Sequence, residues 1–264
     1  MSPLAMLKRQ GWRTWEGMSR IPGRVLATVL PRRTVSSRGL RFTLQYDNWI
    51  TQRRWQYCNI KEPETLDWID RSLRSGEVLF DVGANIGIFA IYAALRHPGA
   101  RVVAFEPEYA NLHLLRDNVV YNHLHDQIDI YSIALGNRTG VSRLHLQDFT
   151  PGAALHTESP QVLELTRTNK PVIGWEGICT VTLDGFCEET GMTPNCLKLD
   201  VDGTEPEILE GASRTLRSPA LRSIIVEMGD DQHIRAACTR LLEAAGLHRI
   251  PVPSRFGNEI WARE

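Results

Sequence analysis

No CxxC pair, no surplus of basic charge and no apolar run long enough to cross a bilayer occur in this 264-residue sequence. Each absence removes a class of protein. The five cysteines, Cys58, Cys179, Cys187, Cys196 and Cys238, are scattered and odd in number. Ligand spacing for zinc is therefore missing, and small buried hydrophobes in a reducing compartment are the simplest expectation. Lys and Arg number 30 against 31 Asp and Glu, a net charge of −1. Gripping a phosphate backbone needs a dominant basic surface, so no nucleic-acid partner is expected. The most apolar long window, Val78 to Leu95, is interrupted by Asp81, Gly83, Asn85 and Gly87. It reads as strand, loop and buried helix, not as a transmembrane segment. Val25 to Leu30, the longest apolar run near the start, is too short for a signal-peptide core. A cytoplasmic chain is expected.

What is present is enough for one full-sized domain: 42% of the residues are hydrophobic. Residues 1–60 read as a basic accessory segment and 61–264 as the main domain. Within the first forty residues eight Lys and Arg face a single acid, Glu16, with Trp12 and Trp15 among them. A membrane-surface helix, a substrate-capturing arm and a helix packed on the main domain all fit that pattern. After a strand at Arg41 to Tyr46 and helical material through Leu73, strands and helices alternate: strands at Val78 to Val82, Arg101 to Phe105, Ile128 to Leu135, Cys196 to Val201 and Arg222 to Met228, with two more closing the chain. Alternation of this kind predicts an α/β fold with a mainly parallel sheet and helices on both faces. Val141 to Gln147 predicts a hairpin arm, and residues 148–177 a long loop of the sort that is functional or mobile.

Two segments carry chemistry. LFDVGANIGIFA, from Leu79 to Ala90, is a strand, a glycine-bearing turn and a helix start. Gly83 and Gly87 allow a tight turn and close approach of backbone to a ligand, and the helix start offers free amides. The next strand ends in VVAFEP, which places Glu106 where an acid accepts hydrogen bonds from both ribose hydroxyls of a nucleoside. The turn is not GxGxxG, because Ala84 and Asn85 occupy its middle. An NAD-dependent oxidoreductase is thereby disfavoured, though it stays as an alternative.

The second segment, CLKLDVDGTEPEILEGA, runs from Cys196 to Ala212. Strand alternation puts Lys198, Asp200 and Asp202 on one face. Mixed charges at the carboxyl end of a buried strand are costly unless paired or used. Thr204 and Glu207 fit a capping box, which accounts for Glu207 and leaves Asp200, Asp202 and Glu205 as candidates. Glu227 ends the neighbouring strand, so Asp200 and Glu227 are candidate ligands for Mg²⁺, or a general base with its orienting partners. His156, in the long loop, is either a base on a closing lid or an exposed loop histidine.

Together these residues resemble the FkbM family of methyltransferases. The likeness rests on FDVGANIGIFA with FEP (Phe80 to Pro107), Asn118 and Asn122, VTLDGF (Val181 to Phe186), LKLDVDGTEPEILEGA (Leu197 to Ala212) and IIVE (Ile224 to Glu227). It implies a Rossmann-like class I methyltransferase fold, a seven-stranded sheet whose last strand is antiparallel. It also implies S-adenosylmethionine (SAM) as donor, held by Asp81, Gly83, Asn85, Gly87, Glu106, Pro107 and Ala134, with Asp81 toward the charged amino acid end. The implied acceptor is a hydroxyl of a small molecule or glycan, with Asp200, Asp202 and Lys198 in catalysis. Asp202 departs from the family pattern, which usually has glutamate there. A non-catalytic SAM-binding protein is a further alternative, and a homo-oligomer is allowed.

Overall fold

The computed structural model describes residues 32–57, 59–154, 156–158, 171–229, 231–254 and 257–263. A hairpin of β1 (Arg32–Ser37) and β2 (Leu40–Gln45) leads into α1 (Trp49–Tyr57) and α2 (Pro63–Ser72). Then come β3 (Val78–Val82), α3 (Ile88–Arg96), β4 (Arg101–Phe105), α4 (Tyr109–Tyr121) and β5 (Ile128–Tyr131). β6 (Ala134–Leu135), β7 (Gly140–Leu146) and β8 (Gly174–Val181) form a small three-stranded sheet. The chain continues through α5 (Leu183–Thr190), β9 (Cys196–Leu199), α6 (Glu205–Glu210), α7 (Ser213–Arg217), β10 (Ser223–Glu227) and α8 (Gln232–Ala244). β11 (His248–Ile250) and β12 (Asn258–Ala262) close it.

Seven strands make the main sheet in the order β11-β12-β10-β9-β3-β4-β5. β3, β4, β5, β9 and β10 pair in parallel, and β12 is antiparallel to both its neighbours. The chain winds from β3 out to β5 and then crosses to β9 on the other side. β3 and β9 therefore flank the topological switch point, and a ligand crevice opens at their carboxyl ends.

Strand period sets the two cores. Leu79, Val102 and Ile225 point into one cluster, with Ile91 and Ala94 of α3 and Ile69 of α2. Their neighbours Phe80, Val103 and Ile224 point into the other, under Phe186, Ile208 and Leu242. Alternate residues facing opposite layers is the pattern of a sheet covered on both sides. The β1–β2 hairpin adds Val35, Phe42 and Leu44 to the first cluster. Asn122 clamps it, donating Nδ2 to the Thr43 carbonyl (2.7 Å) and accepting from the Thr43 amide (2.7 Å), while Asn118 Oδ1 accepts from the Gln45 amide at 2.8 Å. These two asparagines serve the scaffold. β1 and β2 thus share the core of the main domain, whereas most of the basic cluster, with Trp12 and Trp15, lies outside the described residues.

The expected single strand from Ile128 to Leu135 is two. β5 stops at Tyr131, and β6 turns away to pair with β8, Ala134 opposite Thr180 and Leu135 opposite Val181. β5 is the sheet edge, so the chain beyond it finds its backbone partners on β8. The expected arm at Val141 to Gln147 appears as β7, antiparallel to β8. β8 also takes the last residues of the expected loop, and residues 155 and 159–170 lie outside the described residues. Among the described residues, Cys179, Cys187, Cys196 and Cys238 are free, and no helix is long and apolar enough to cross a membrane.

Candidate active site

On the α3 face of the sheet, hydrophobic alternation would place Asp81 of β3 and Lys198 of β9 in the core. The register sets them directly opposite each other. Lys198 Nζ lies 3.2 Å from Asp81 Oδ1 and 3.2 Å from Asp200 Oδ2, and 5.2 Å from the Phe89 ring centroid. Asp81 is fully buried and Lys198 is 3% exposed. Burial disfavours the Lys198 charge, but Asp200 and Asp81 outweigh it and raise its pKa. The ammonium is permanent, and it fixes the carboxylate at the end of its own strand.

Asp200 is the carboxylate of this group that reaches the crevice. It lines a cleft of about 670 Å³ with Lys198, the Gly83–Ile86 loop and residues of α1. Burial pushes its carboxyl up, but Lys198, a hydrogen bond with Glu227 and Lys61 bring it below its ordinary value. Glu227 moves the other way, raised by burial and by the Asp200 charge beside it. Asp200 is the ionised partner and Glu227 holds the proton. Glu62, just before α2, completes a trio whose carboxylate oxygens lie within 4.8 Å of one another, and Lys61 Nζ is 2.9 Å from Glu62.

The glycine turn is packed against these groups. A Cβ on Gly83, at φ +77°, would stand 1.8 Å from the Asp200 carbonyl oxygen. Only glycine lets β3 and β9 close this tightly. Gly87 caps α3 at φ +87°, a left-handed backbone that favours glycine, and a Cβ there would also meet the Leu115 side chain at 2.4 Å. Asn85, at φ 51°, hands its amide to Glu106 Oε2 at 2.7 Å. Glu106 Oε1 accepts from the Glu108 amide at 3.0 Å. Burial pushes the Glu106 carboxyl up to about 7 against the pull of those amides.

Across Gly83 from the cleft, Pro107 and Ala134 line a hollow of about 50 Å³ with Phe105, Leu135 and His156. His156 Nδ1 is buried there without a hydrogen-bond partner among the described residues, and burial lowers its pKa to about 4, so the ring is neutral near pH 7. The half-buried histidine is thus not the exposed loop residue that its position suggested. Residues 151–153 lie over the glycine turn, held by four side chains. Asn48 donates to the Pro151 carbonyl (2.9 Å), Arg54 to Gly152 (2.5 Å), and Asn85 (2.8 Å) and Asn111 (3.1 Å) to Ala153.

Several expectations change. Asp202 cannot be placed by strand alternation, because β9 ends at Leu199 and Asp202 is left-handed at φ 61°, although its charge still acts on Arg54 at the cleft. It is absent from the lining of the cleft. Thr204 makes no side-chain cap. Glu205 instead accepts from the Val201 and Gly203 amides, both at 3.2 Å, and burial pushes its carboxyl up to about 8. It stitches the turn. Asp81 meets the cleft through Lys198 and not directly. Arg54, Lys61 and Glu62 were not singled out from sequence, because each sits in helical or linking material more than a hundred residues from Asp200 with no motif of its own.

A doubly wound sheet with one inserted antiparallel strand, a glycine turn beside an acid-tipped second strand and a carboxylate at the switch point define a class I methyltransferase fold. The family model described as methyltransferase FkbM domain matches residues 81–245, and the chain belongs to that family. The 31-O-demethyl-FK506 methyltransferase FkbM of Streptomyces tacrolimicus is 31% identical over 194 residues, 66% of this chain and 74% of that protein. The hexuronic acid methyltransferase AglP of Haloferax volcanii is 29% identical over 199 residues, 74% of this chain and 72% of that protein. The crystal structure of methyltransferase FkbM from Methylobacillus flagellatus KT shares the fold, with TM-score 0.50 and 16% identity over 82% of this chain and 55% of that one.

Proposed function

We propose that the chain transfers a methyl group from SAM to a hydroxyl oxygen of a sugar or glycosylated metabolite. The observation that carries this reading is the contact between the two halves of the site: Gly83 of the cofactor turn packs on the backbone of Asp200, which lines the cleft. The residues fit the cofactor. Glu106, whose two oxygens accept the Asn85 and Glu108 amides, keeps a second lone pair on each for a ribose diol, the apolar walls of Pro107 and Ala134 suit a base, and the orphaned His156 Nδ1 supplies a polar edge there. SAM, when bound, supplies an electrophilic methyl on a sulfonium centre. Asp200, kept ionised, accepts the hydroxyl proton of the acceptor as general base. Lys198 positions Asp200, and Glu227 donates a hydrogen bond to it. Two relatives carry names that point to oxygen-bearing acceptors, 31-O-demethyl-FK506 and a hexuronic acid, which supports this class of acceptor.

Mg²⁺ fits the carboxylate trio poorly. The Lys61 and Lys198 ammonium groups already neutralise Glu62 and Asp200 at 2.9 and 3.2 Å, and Glu227 is protonated. A hard cation needs ionised oxygen ligands. Turnover is therefore expected to survive EDTA unchanged, and loss restored by added Mg²⁺ would reinstate Asp200 and Glu227 as ligands.

The Glu106 carboxyl sets a pH dependence. With a folded-state pKa of about 7, it is mostly neutral at pH 6 and mostly ionised at pH 8. Hydroxyl donors bind the ionised form more strongly. Affinity for S-adenosylhomocysteine (SAH) should therefore rise roughly tenfold from pH 6 to pH 8, following the competent fraction. Glu106→Gln should bind weakly and without that slope in calorimetric titration. The raised pKa runs against the stability of the free fold: the fold binds more protons than the unfolded chain between about 4.5 and about 7, so stability falls as pH rises through that window.

Thermal unfolding with SAM, SAH and NAD tests the proposal as a whole. A ligand at about 100 times its Kd adds roughly 2.7 kcal/mol to the folded state. Stabilisation by SAM or SAH, together with label transfer from methyl-labelled SAM to a sugar, is expected. Stabilisation by NAD alone would return the chain to hydride transfer, and SAM binding without transfer to any acceptor would make it a non-catalytic binder.

A further inference from the structure

The mouth of the cleft carries a feature that the transfer chemistry leaves unused. Trp49, Arg53 and Tyr57 of α1 are spaced four residues apart, which stacks them on one helix face. All three line the same cleft as Asp200. Trp49 is 60% exposed and Tyr57 47% exposed. Large aromatics left in water on a concave wall mark a binding surface. Between them lies the Arg53 guanidinium, its carbon 6.0 Å from the Trp49 ring centroid and 5.9 Å from that of Tyr57. The other cations of the cleft are engaged: Arg54 with the Gly152 carbonyl, Lys61 with Glu62, Lys198 with Asp81 and Asp200. Arg53 has no carboxylate partner among the described residues.

We infer that this face of α1 is the acceptor subsite and that it takes a sugar ring bearing a carboxylate. The inference rests on the methyl-transfer reading and gives its acceptor a charge. The C–H faces of a pyranose pack on aromatic rings, while a planar guanidinium matches a carboxylate with two parallel hydrogen bonds. Among the described residues the cleft offers one cation without a carboxylate partner, which suits one negative charge; a phosphate dianion would call for a second. The concave wall shared with Asp200 suits a ring held over the base, whereas a lipid surface would want a convex or flat face.

The test uses the full chain loaded with SAH, titrated by tryptophan fluorescence and ligand-observed NMR. The probes are methyl β-D-glucopyranosiduronic acid and methyl α-D-galactopyranosiduronic acid, each against its neutral methyl glycoside. The acids are expected to bind about tenfold more tightly than the neutral sugars, the size of one charge-assisted pair. Arg53→Gln should remove that preference, Arg53→Lys should restore part of it, and Trp49→Ala should weaken acid and neutral sugars alike, with SAH affinity kept in all three. Equal binding of acid and neutral members, no binding of either acid, or a preference that survives Arg53→Gln overturns the proposal. So does sedimentation with phosphatidylglycerol vesicles that Trp49→Ala abolishes, which would assign the face to a membrane surface. In any of these cases retained SAH binding leaves the methyl-transfer reading standing, while loss of SAH binding by the wild type sinks that reading instead.

Discussion

Asp200→Asn is expected to lower kcat by about 10²- to 10⁴-fold, the range for loss of a positioned general base, while SAH affinity changes by no more than about threefold. The contrast follows from where the carboxylate lies. Asp200 lines the proposed acceptor cleft, and its Oδ2 is held by Lys198 at 3.2 Å. Asparagine keeps the shape and the hydrogen bond to a neighbour but cannot take a proton. The proposed cofactor side is built from other residues: the Gly83–Asn85 turn, Glu106 and the Pro107–Ala134 hollow. Lys198→Met should reproduce part of the loss and shift the acid limb of the kcat profile upward, because burial would then raise Asp200 unopposed by its nearest cation. Single-turnover kinetics with labelled SAM separates the chemical step from product release. A kcat of Asp200→Asn within about threefold of wild type would remove Asp200 from the chemistry.

Gly83→Ala is the second large effect. The new methyl would be 1.8 Å from the Asp200 carbonyl oxygen and 2.9 Å from its carbon, on a backbone at φ +77°. The obstruction is main chain, so no side-chain rotation relieves it. Left-handed strain of about 1–2 kcal/mol and overpacking of about 1–3 kcal/mol combine into a loss of several kcal/mol. To relieve the clash, β9 must move away from β3 and carry Asp200 with it. Urea denaturation should therefore show a lower midpoint, and whatever folds should lose turnover beyond its loss of folded fraction. Gly140→Ala and Gly177→Ala are controls, since a Cβ at either position meets nothing within 4 Å. Those two should lie within about 0.5 kcal/mol of wild type. A Gly83→Ala protein with wild-type stability and turnover would mean that the closeness of β3 and β9 is not required.

The candidate site was readable in sequence where its logic is local. FDVGANIG needs a turn between a buried strand and a helix, and the acid of FEP sits one strand on; both follow from residues adjacent in the chain. Alternation also brought Lys198 and Asp200 together, since Asp200, one residue past β9, still donates its amide to the Val82 carbonyl of β3. The same rule does not reach Asp202. The strand has already ended at Leu199 and Asp202 has φ 61°, and nothing in DVDG alone says on which residue the strand ends. The capping box failed for a related reason. Thr204 through Glu207 has the right letters, but the buried Glu205 reaches back to the Val201 and Gly203 amides and satisfies the turn first.

By itself, then, the sequence determined the alternating α/β architecture, the glycine turn, the acid at the end of β4 and the charged end of β9. Each of these is a period or a spacing within a few dozen residues. Tertiary structure alone decided that β9 lies beside β3, so that Lys198 faces Asp81 and Gly83 touches Asp200. It brought Lys61, Glu62 and Arg54 to a carboxylate far along the chain and laid residues 151–153 over the turn. Those choices come from strand order, register and packing between layers, energies that belong to pairs of distant residues and leave no periodic trace in either partner.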